Sequence, residues 1–495
     1  MTIDALGAAL SGLRVAQRGL DVTSSNISNA NTDGYTRKVL PLESVVTSDG
    51  QVVGVRTGEI QRYIDASLLR DYRVQLSVES YYDTRQSMLS RIVQTQGATD
   101  QQSNIGARIG NLMSSFVSLS ASPDSRASQS TVVDTAGVLA KSLNTYSAQL
   151  LSMRNEVQSS LISEVDTMNA TLKSIADLNK RIQSLANVGK STASLEDQRD
   201  KAIKGLAAQI DITYYTDGDG TLVVQTKKGQ VLVDTEARTI ATDRTNLTQN
   251  EAYPDGISGL VIKGIGLDGD IDLTTADPGG KIGALLDLRD KDIPSYMAQA
   301  DELAYKMMVR FNDQGVRLFT DSTGTIPAND PAVYAGIAGT IQVNALVVND
   351  PSLLQKGTSG SPINAGDNTN IMNVINYAFG RYKDASGTLN EPFVTTQQGY
   401  SRNISFDIIG DPNVSLEEYA RSMMDGMAAD LNETNATLET EQQYTQEIEK
   451  RVLDSSAVNS DEEMANLIEL QKTYSANAKI ISALDQLFRD LLNAV

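Results

Sequence analysis

The sequence predicts a mainly α-helical chain with inserted β segments, arranged as a discontinuous, nested multi-domain architecture whose two ends are coiled-coil helices. Three observations carry this. Apolar residues recur at alternating three- and four-residue spacing at both ends of the 495 residues, and long stretches between them keep helical spacing. The period falls to two only in short blocks punctuated by Gly and Asp. A chain of this length exceeds one core, so several domains are expected, foldable without metal or disulfide staples.

At the N-terminus, Ile3, Leu6, Leu10, Leu13, Leu20 and Ile27 form a coiled-coil stripe, with polar Gln17 and Ser24 where the pattern would otherwise place apolar residues. The stretch "SSNISNANTDGYTRK", Ser24 to Lys38, ends that helix: Asn and Gly adopt left-handed backbone angles at low cost, and Tyr35 is placed to staple the turn onto the helix before it. Residues 65 to 209 read as long helices, from Leu68, Leu69, Tyr72 and Leu76 through Met88, Leu89 and Ile92 to Leu172, Ile175, Leu178, Ile182 and Leu185. Pro123-Asp124 marks a turn among them.

From Asp211, "DITYYTDGDGTLVVQTKKGQVLVD" alternates around two tight turns, which predicts a small antiparallel sheet continuing loosely to about 274. Helical spacing returns from Lys281 to Asp313, gives way to a loop-rich, β-leaning stretch over 320 to 410, and resumes from Ser415 to Leu453. The chain closes on a second stripe, Leu467, Leu470, Tyr474, Ile481, Leu484, Phe488, Leu491 and Val495, with Asn477 as its polar interruption. Ser460 and Glu463 have the spacing of a capping box at its start.

Pairing of the two end stripes nests the rest. Residues 1–60 and 455–495 would form a terminal assembly domain, 61–210, 279–319 and 415–454 a helical-bundle domain, 211–278 a β-rich insertion, and 320–414 a mixed loop and β outer insertion. Each stripe could serve only its own domain's core. Two such helices at opposite ends, each with a polar residue in the seam, also suit pairing between copies, where a buried Asn or Gln fixes register.

Composition excludes much chemistry. Cys, His and Trp are absent, which removes thiol nucleophiles, imidazole bases and the commonest zinc ligands. Sixty-two acidic against 42 basic residues give a net charge of -20, which repels nucleic acid and anionic lipid and points to protein partners. No apolar run approaches the ~20 residues of a membrane span, and Asp4 stands where a signal peptide carries positive charge, so neither membrane insertion nor a cleavable leader is expected.

Asp217 and Asp219, and Asp268, Asp270 and Asp272, resemble half a calcium loop, but no Glu closes a twelve-residue frame, so turn chemistry is the reading. The glycines have no phosphate-cradling spacing, and no cofactor is expected. In "LEDQRDKAI" the charges Asp197, Arg199 and Asp200 read as solvated ion pairs on a helix. No catalytic residue is assigned. A glycan-hydrolysing enzyme would need two facing carboxylates that the sequence does not place together.

"SGLRVAQRGLDVTSSNISNANTDGYTRK" resembles the N-terminal signature of the flagellar rod, hook and hook-associated axial protein family, through Asn26, Ile27, Asn29, Asn31, Gly34, Tyr35, Thr36 and Arg37. Thr36-Arg37 is similar to its hook-associated junction branch. So are "VNSDEEMANLIELQKTYSANAKIISALDQLF" near the C-terminus, "LEDQRD", "GGKIGALLDLRDKDIPSYMAQADELA", "IQVNALVVNDPSLL" and "GDNTN".

The resemblance implies a structural, non-enzymatic subunit of the bacterial flagellum, exported by its type III apparatus and extracellular at the junction between hook and filament. It implies self-assembly into a ring-like zone, contacts with hook protein and the next hook-associated protein, and a cytosolic export chaperone on the C-terminal helix. A hook or distal-rod subunit, or a secreted calcium-binding adhesin, is the alternative expectation.

Overall fold

The structure is a computed structural model, and it describes residues 2–493 apart from 47–49, 51, 97–103, 219, 250, 252, 255, 265–268, 360–363, 395, 398–403 and 406–410. It is mainly α-helical with small inserted sheets. The long helices are α1 (Thr2–Asn29), α2 (Ala66–Gln96), α3 (Ile105–Ser120), α4 (Arg126–Ala186), α5 (Ala193–Gln209), α6 (Gly280–Asp287) and α7 (Ile293–Asp313). Four short ones follow, α8 (Pro331–Tyr334), α9 (Ala345–Asn349), α10 (Leu353–Lys356) and α11 (Thr369–Asn373), before α12 (Leu416–Ser456) and α13 (Ser460–Asn493).

The chain folds as two discontinuous units. The first comprises Met1–Glu79, Thr167–Thr239 and Glu441–Val495. In it α1 and α13 pack antiparallel at heptad spacing: Gly12 meets Asn477, Gly19 meets Leu470, and Asn26 meets Glu463. The approach is close because the α1 face is small. A Cβ on Gly19 would lie 2.9 Å from Leu470 Cδ2, and one on Gly12 2.8 Å from Asn477 Nδ2. Ala9, Ala16 and Thr23 are buried along the same stripe, one position before Leu10, Gln17 and Ser24. Backbone proximity, rather than large side chains, closes this pair.

Between α1 and α2 lie β1 (Lys38–Val39), β2 (Leu42–Val46), β3 (Val52–Thr57) and β4 (Gln61–Arg62). β1 pairs antiparallel with β4, setting Lys38 opposite Arg62, and β2 with β3 makes a hairpin. α1 holds the β3 edge, since Ser11 Oγ accepts from Val55 N–H at 3.2 Å and Arg18 donates to Thr57 Oγ1 at 2.6 Å. The predicted sheet after Asp211 is present as β5 (Ile212–Thr216), β6 (Leu222–Thr226) and β7 (Val231–Val233) in order 5-6-7. At its first turn Asp217 Oδ1 accepts from Gly218 N–H at 2.7 Å and Gly220 has φ +85°, the turn role expected of "DGDG"; Asp219 and Asp268 lie outside the described residues.

The second unit, Ser80–Asp166 and Ile240–Thr440, holds α3, most of α4, α6, α7 and the start of α12. A second three-stranded sheet, β8 (Ile240–Ala241), β9 (Val261–Ile262) and β10 (Ile271–Asp272), belongs to it. Its core gathers Phe379 edge to face with Phe116 and Phe311, Phe319 edge to face with Phe311, and Phe116 tilted against Phe311, with Phe393 stacked on Tyr419 at 3.7 Å. Residues 320–410 hold the four short helices and two ladders, β11 (Phe319–Thr320) with β12 (Gln342–Val343) and β13 (Thr396–Gln397) with β14 (Ile404–Ser405). That stretch is more helical than its sequence suggests, because runs such as "NALVVN" are too short to show a period; Asn344 caps α9 by accepting from Leu346 N–H at 3.0 Å.

Between α6 and α7 the helix widens into a π turn, Leu288–Asp292. It presents Arg289, fully buried, to Asp290 in a two-point ion pair and to Gln158 at 3.0 Å. Beside it Asp292 receives Arg85 at 3.3 Å, Tyr81 donates to Asp287 at 2.8 Å, and Tyr296 donates to Asp430 at 2.5 Å.

Candidate functional site

The turn that ends α1 builds the most densely bonded polar site of the first unit. α1 stops at Asn29, where Thr32 N–H donates to Asn29 O at 2.9 Å and Gly34 takes φ +81°, turning the chain back along the helix. Tyr35 then folds onto α1, its hydroxyl donating to Asn26 Oδ1 at 2.9 Å, as the staple reading requires. Asn26 is buried, and its amide is fully engaged. Its Oδ1 accepts from Lys38 N–H at 3.0 Å, while its Nδ2 donates to Lys38 O at 2.9 Å and Glu463 Oε2 at 3.0 Å. The side chain acts as a missing strand partner for Lys38.

Glu463 brings in α13. Its other oxygen accepts from Arg37 Nε at 2.8 Å, and Arg37 Nη1 reaches Glu462 at 3.3 Å. The predicted capping box therefore does not form. Asn459 caps α13 instead, its Oδ1 accepting from Asp461 N–H at 3.0 Å, because Glu463 gains more from the buried Asn26 and Arg37 than from an exposed backbone N–H.

The third contributor is α5, and here the solvated reading of "LEDQRD" is corrected. Asp197 and Arg199 are each 7% exposed. Asp197 accepts from Thr36 Oγ1 at 2.6 Å and pairs with the Lys38 ammonium; Arg62 bonds Glu196 at 2.8 Å, Asp197 at 3.4 Å and Asp200 at 2.5 Å; Arg73 bonds Asp200 at 2.8 Å. Lys38, Arg62 and Arg73 thus pair directly with Glu196, Asp197 and Asp200, and Arg199 lies buried beside them as a fourth cation. Burial pulls the Lys38 ammonium below its ordinary range, with Asp197 opposing. Burial would raise the Asp200 carboxyl, but Arg73 and Arg62 outweigh it and hold that group low. Arg199, lowered chiefly by burial, donates to Asn179 Oδ1 at 2.9 Å; Asn179 in turn donates to Leu222 O and Asp234 O, both at 2.8 Å, anchoring the β5–β7 sheet.

The stretches the sequence singles out near residues 35, 197 and 463 therefore meet in one place. Lys38, Arg62 and Arg73 were not anticipated there. The available signal covered Arg199 alone, which stands one turn from both Leu195 and Ile203 on the apolar α5 face, while Asp197 lies on the opposite side of the helix. Of the family-motif residues, Asn26 is buried, Ile27, Asn29, Tyr35, Thr36 and Arg37 are half-buried, and Asn31 and Gly34 are exposed.

The seam residues are placed unevenly. On α13, Leu484 is buried and Leu467, Leu470, Asn477 and Ile481 are half-buried, with Leu470 and Asn477 against α1, whereas Tyr474 and Phe488 are exposed. On α1, Leu6, Leu13 and Leu20 are half-buried, and Leu10 (42%) and Gln17 are exposed. The side chains of Ile3 and Leu491 and the whole of Val495 lie outside the described residues. Among the described residues, no group of three acidic side chains is arranged to hold a metal ion, and no helix is long and apolar enough to cross a membrane.

Residues 91–325 match the family described as flagellar hook-associated protein FlgK helical domain, residues 6–36 that of the flagella basal body rod protein, and residues 450–494 that of the flagellar basal body rod FlgEFG protein C-terminal. Flagellar hook-associated protein 1 of Bacillus subtilis is 26% identical over 100% of this chain and 98% of its own. The protein of that name from Salmonella typhimurium is 26% identical over 98% of each. The structure of the flagellar hook junction protein FlgK from Burkholderia pseudomallei aligns at TM-score 0.45 and 22% identity over 52% of this chain and 45% of that one. The terminal matches, flanking a helical middle, define the class as an axial protein of the bacterial flagellum. Within that class the chain is similar over its full length to flagellar hook-associated protein 1.

Proposed function

We propose that this chain is a structural subunit of the flagellum, polymerising as the adaptor between hook and filament. Full-length correspondence to hook-associated protein 1, with rod-type sequences at both ends and the hook-associated helical domain between, carries the reading. The role is mechanical, without catalysis. Residues 1–60 and 455–495 act as the assembly domain, and the apolar side chains that α1 and α13 leave accessible are buried between neighbouring subunits in a ring-like zone. Hook protein and the next hook-associated protein are the flanking partners. Export proceeds through the type III apparatus, and a cytosolic chaperone covers the α13 stripe beforehand.

Deleting the gene, imaging the cell surface by electron microscopy and assaying the medium for flagellin tests the reading. Hooks without filaments and shed flagellin are expected; intact filaments, or absent hooks, overturn it. Within the protein, Leu10→Asp is expected to leave thermal unfolding nearly unchanged while abolishing filament growth, because Leu10 is exposed in the single chain. Leu484→Asp is expected both to lower the thermal unfolding temperature and to abolish filament growth, since Leu484 is already buried. Normal filaments on Leu10→Asp cells would remove α1 from the proposed subunit contact.

A further inference from the structure

We propose that the groove between α4 and α5 is the docking site for an acidic corner of a second copy of this chain. The inference rests on the reading of the chain as a polymerising subunit and adds a specific contact to it. The groove, about 690 Å³, lies within the first unit and is lined from α4 by Lys173, Asp177, Leu178 and Arg181 and from α5 by Lys201. Lys173 and Arg181 stand one helical turn on either side of Asp177, exposed, and neither makes an ion pair among the described residues. Lys180 extends the same exposed stripe, and Lys201 is paired with Asp33 at 2.8 Å. Four cations against two carboxylates leave this patch positive on a chain of net charge -20.

The complementary patch is the α12–α13 corner of the same unit. Asp454 in the last turn of α12 and Asp461 and Glu462 in the first turn of α13 are exposed. Glu462 shares Arg37 at 3.3 Å, while the Asp454 and Asp461 carboxylates face no cation at ion-pair distance among the described residues. Two copies of so acidic a chain repel over most of their surfaces. Association is therefore steered to the place where potentials are opposite, and this groove and this corner supply it. Because groove and corner are different patches of one molecule, the contact is head to tail, and each addition leaves a fresh groove and a fresh corner for the next. The rim charges set partner choice and register, with seam burial providing the remaining contact.

The test uses full-length protein in cells. The chain has no cysteine, so the pair Asp177→Cys with Asp461→Cys reports the contact directly as an intersubunit disulfide in purified flagella. A ladder of cross-linked copies on a non-reducing gel is expected. Lys173→Glu with Arg181→Glu, and separately Asp454→Lys with Asp461→Lys, are each expected to lower incorporation at least tenfold, and the four changes together to restore it. Rescue by the charge swap distinguishes pairing from misfolding of either variant. Flagella that contain the protein but give no ladder and no rescue overturn the inference while leaving the junction role intact. A disulfide from Asp177→Cys to a cysteine placed on a different axial protein overturns the choice of a second copy. Absence of the protein from flagella overturns the junction role itself, and this contact with it.

Discussion

Asp197→Ala is expected to lower the stability of the first unit by about 3–5 kcal/mol, the cost of leaving buried charge without its partner. The variant strips the Lys38 ammonium, 6% exposed, of the one carboxylate at ion-pair distance among the described residues, removes one of the carboxylates paired with Arg62, and leaves the Thr36 hydroxyl without that acceptor. The cluster loses one of its three carboxylates while keeping every cation. Asp197→Asn keeps an acceptor for Thr36 and is expected to cost less, because only the charge is lost. Urea unfolding followed by circular dichroism, with limited proteolysis to assign the loosened segment, measures both. A loss below 1 kcal/mol for Asp197→Ala would mean that Glu196 and Asp200 re-pair with Lys38, and would remove the cluster as a keystone.

The second large effect has the opposite sign. Burial pushes the Asp292 carboxyl up to about 6; Arg85 opposes the shift, and Asp287 and Asp430 add to it. A folded-state value raised above the ordinary 3.8 means that the folded state prefers the proton. Asp292 therefore favours folding below about pH 4, and that contribution is lost as pH rises through 6. Across that window the loss is about 2–3 kcal/mol. Asp292→Asn is neutral throughout and retains an acceptor for Arg85, so at pH 7.5 it is expected to be more stable than the parent by up to that amount. The advantage shrinks to nothing by pH 4. Urea midpoints measured for both proteins between pH 4 and 8 decide it; a difference independent of pH would mean that Asp292 is not the titrating group.

Much of this architecture was legible because helical periodicity is local. The α1 and α13 stripes, the turn at Pro123, the β5–β7 sheet and the left-handed Gly34 follow from spacing and turn chemistry alone. What was not legible depended on partners distant in sequence. The leucines of α1 suggested a seam, yet the α13 contact uses Gly12, Gly19 and their small neighbours, since hydrophobicity patterns do not register how closely two backbones approach. A capping box does occur, at Ser415 and Glu418 of α12, where Ser415 N–H donates to Glu418 at 2.9 Å and Glu418 N–H to Ser415 Oγ at 3.2 Å. At Ser460 and Glu463 the same spacing fails because Glu463 is claimed by Asn26. Likewise Asp197 could be recognised as buried only once Lys38 and Arg62 were placed opposite it.

The bond between Asn26 and Glu463 joins positions 437 residues apart. A ribosome releases the first of these long before the second exists. Until α13 emerges, Asn26 and Arg37 have no Glu463 to meet and α1 has no α13 to lie against, so α1, made well before α13, is among the late parts to settle. Contacts of such high sequence separation are formed late and slowly, because a long loop must close before they return any stabilisation. Chains truncated before Glu463 therefore keep an open α1 segment.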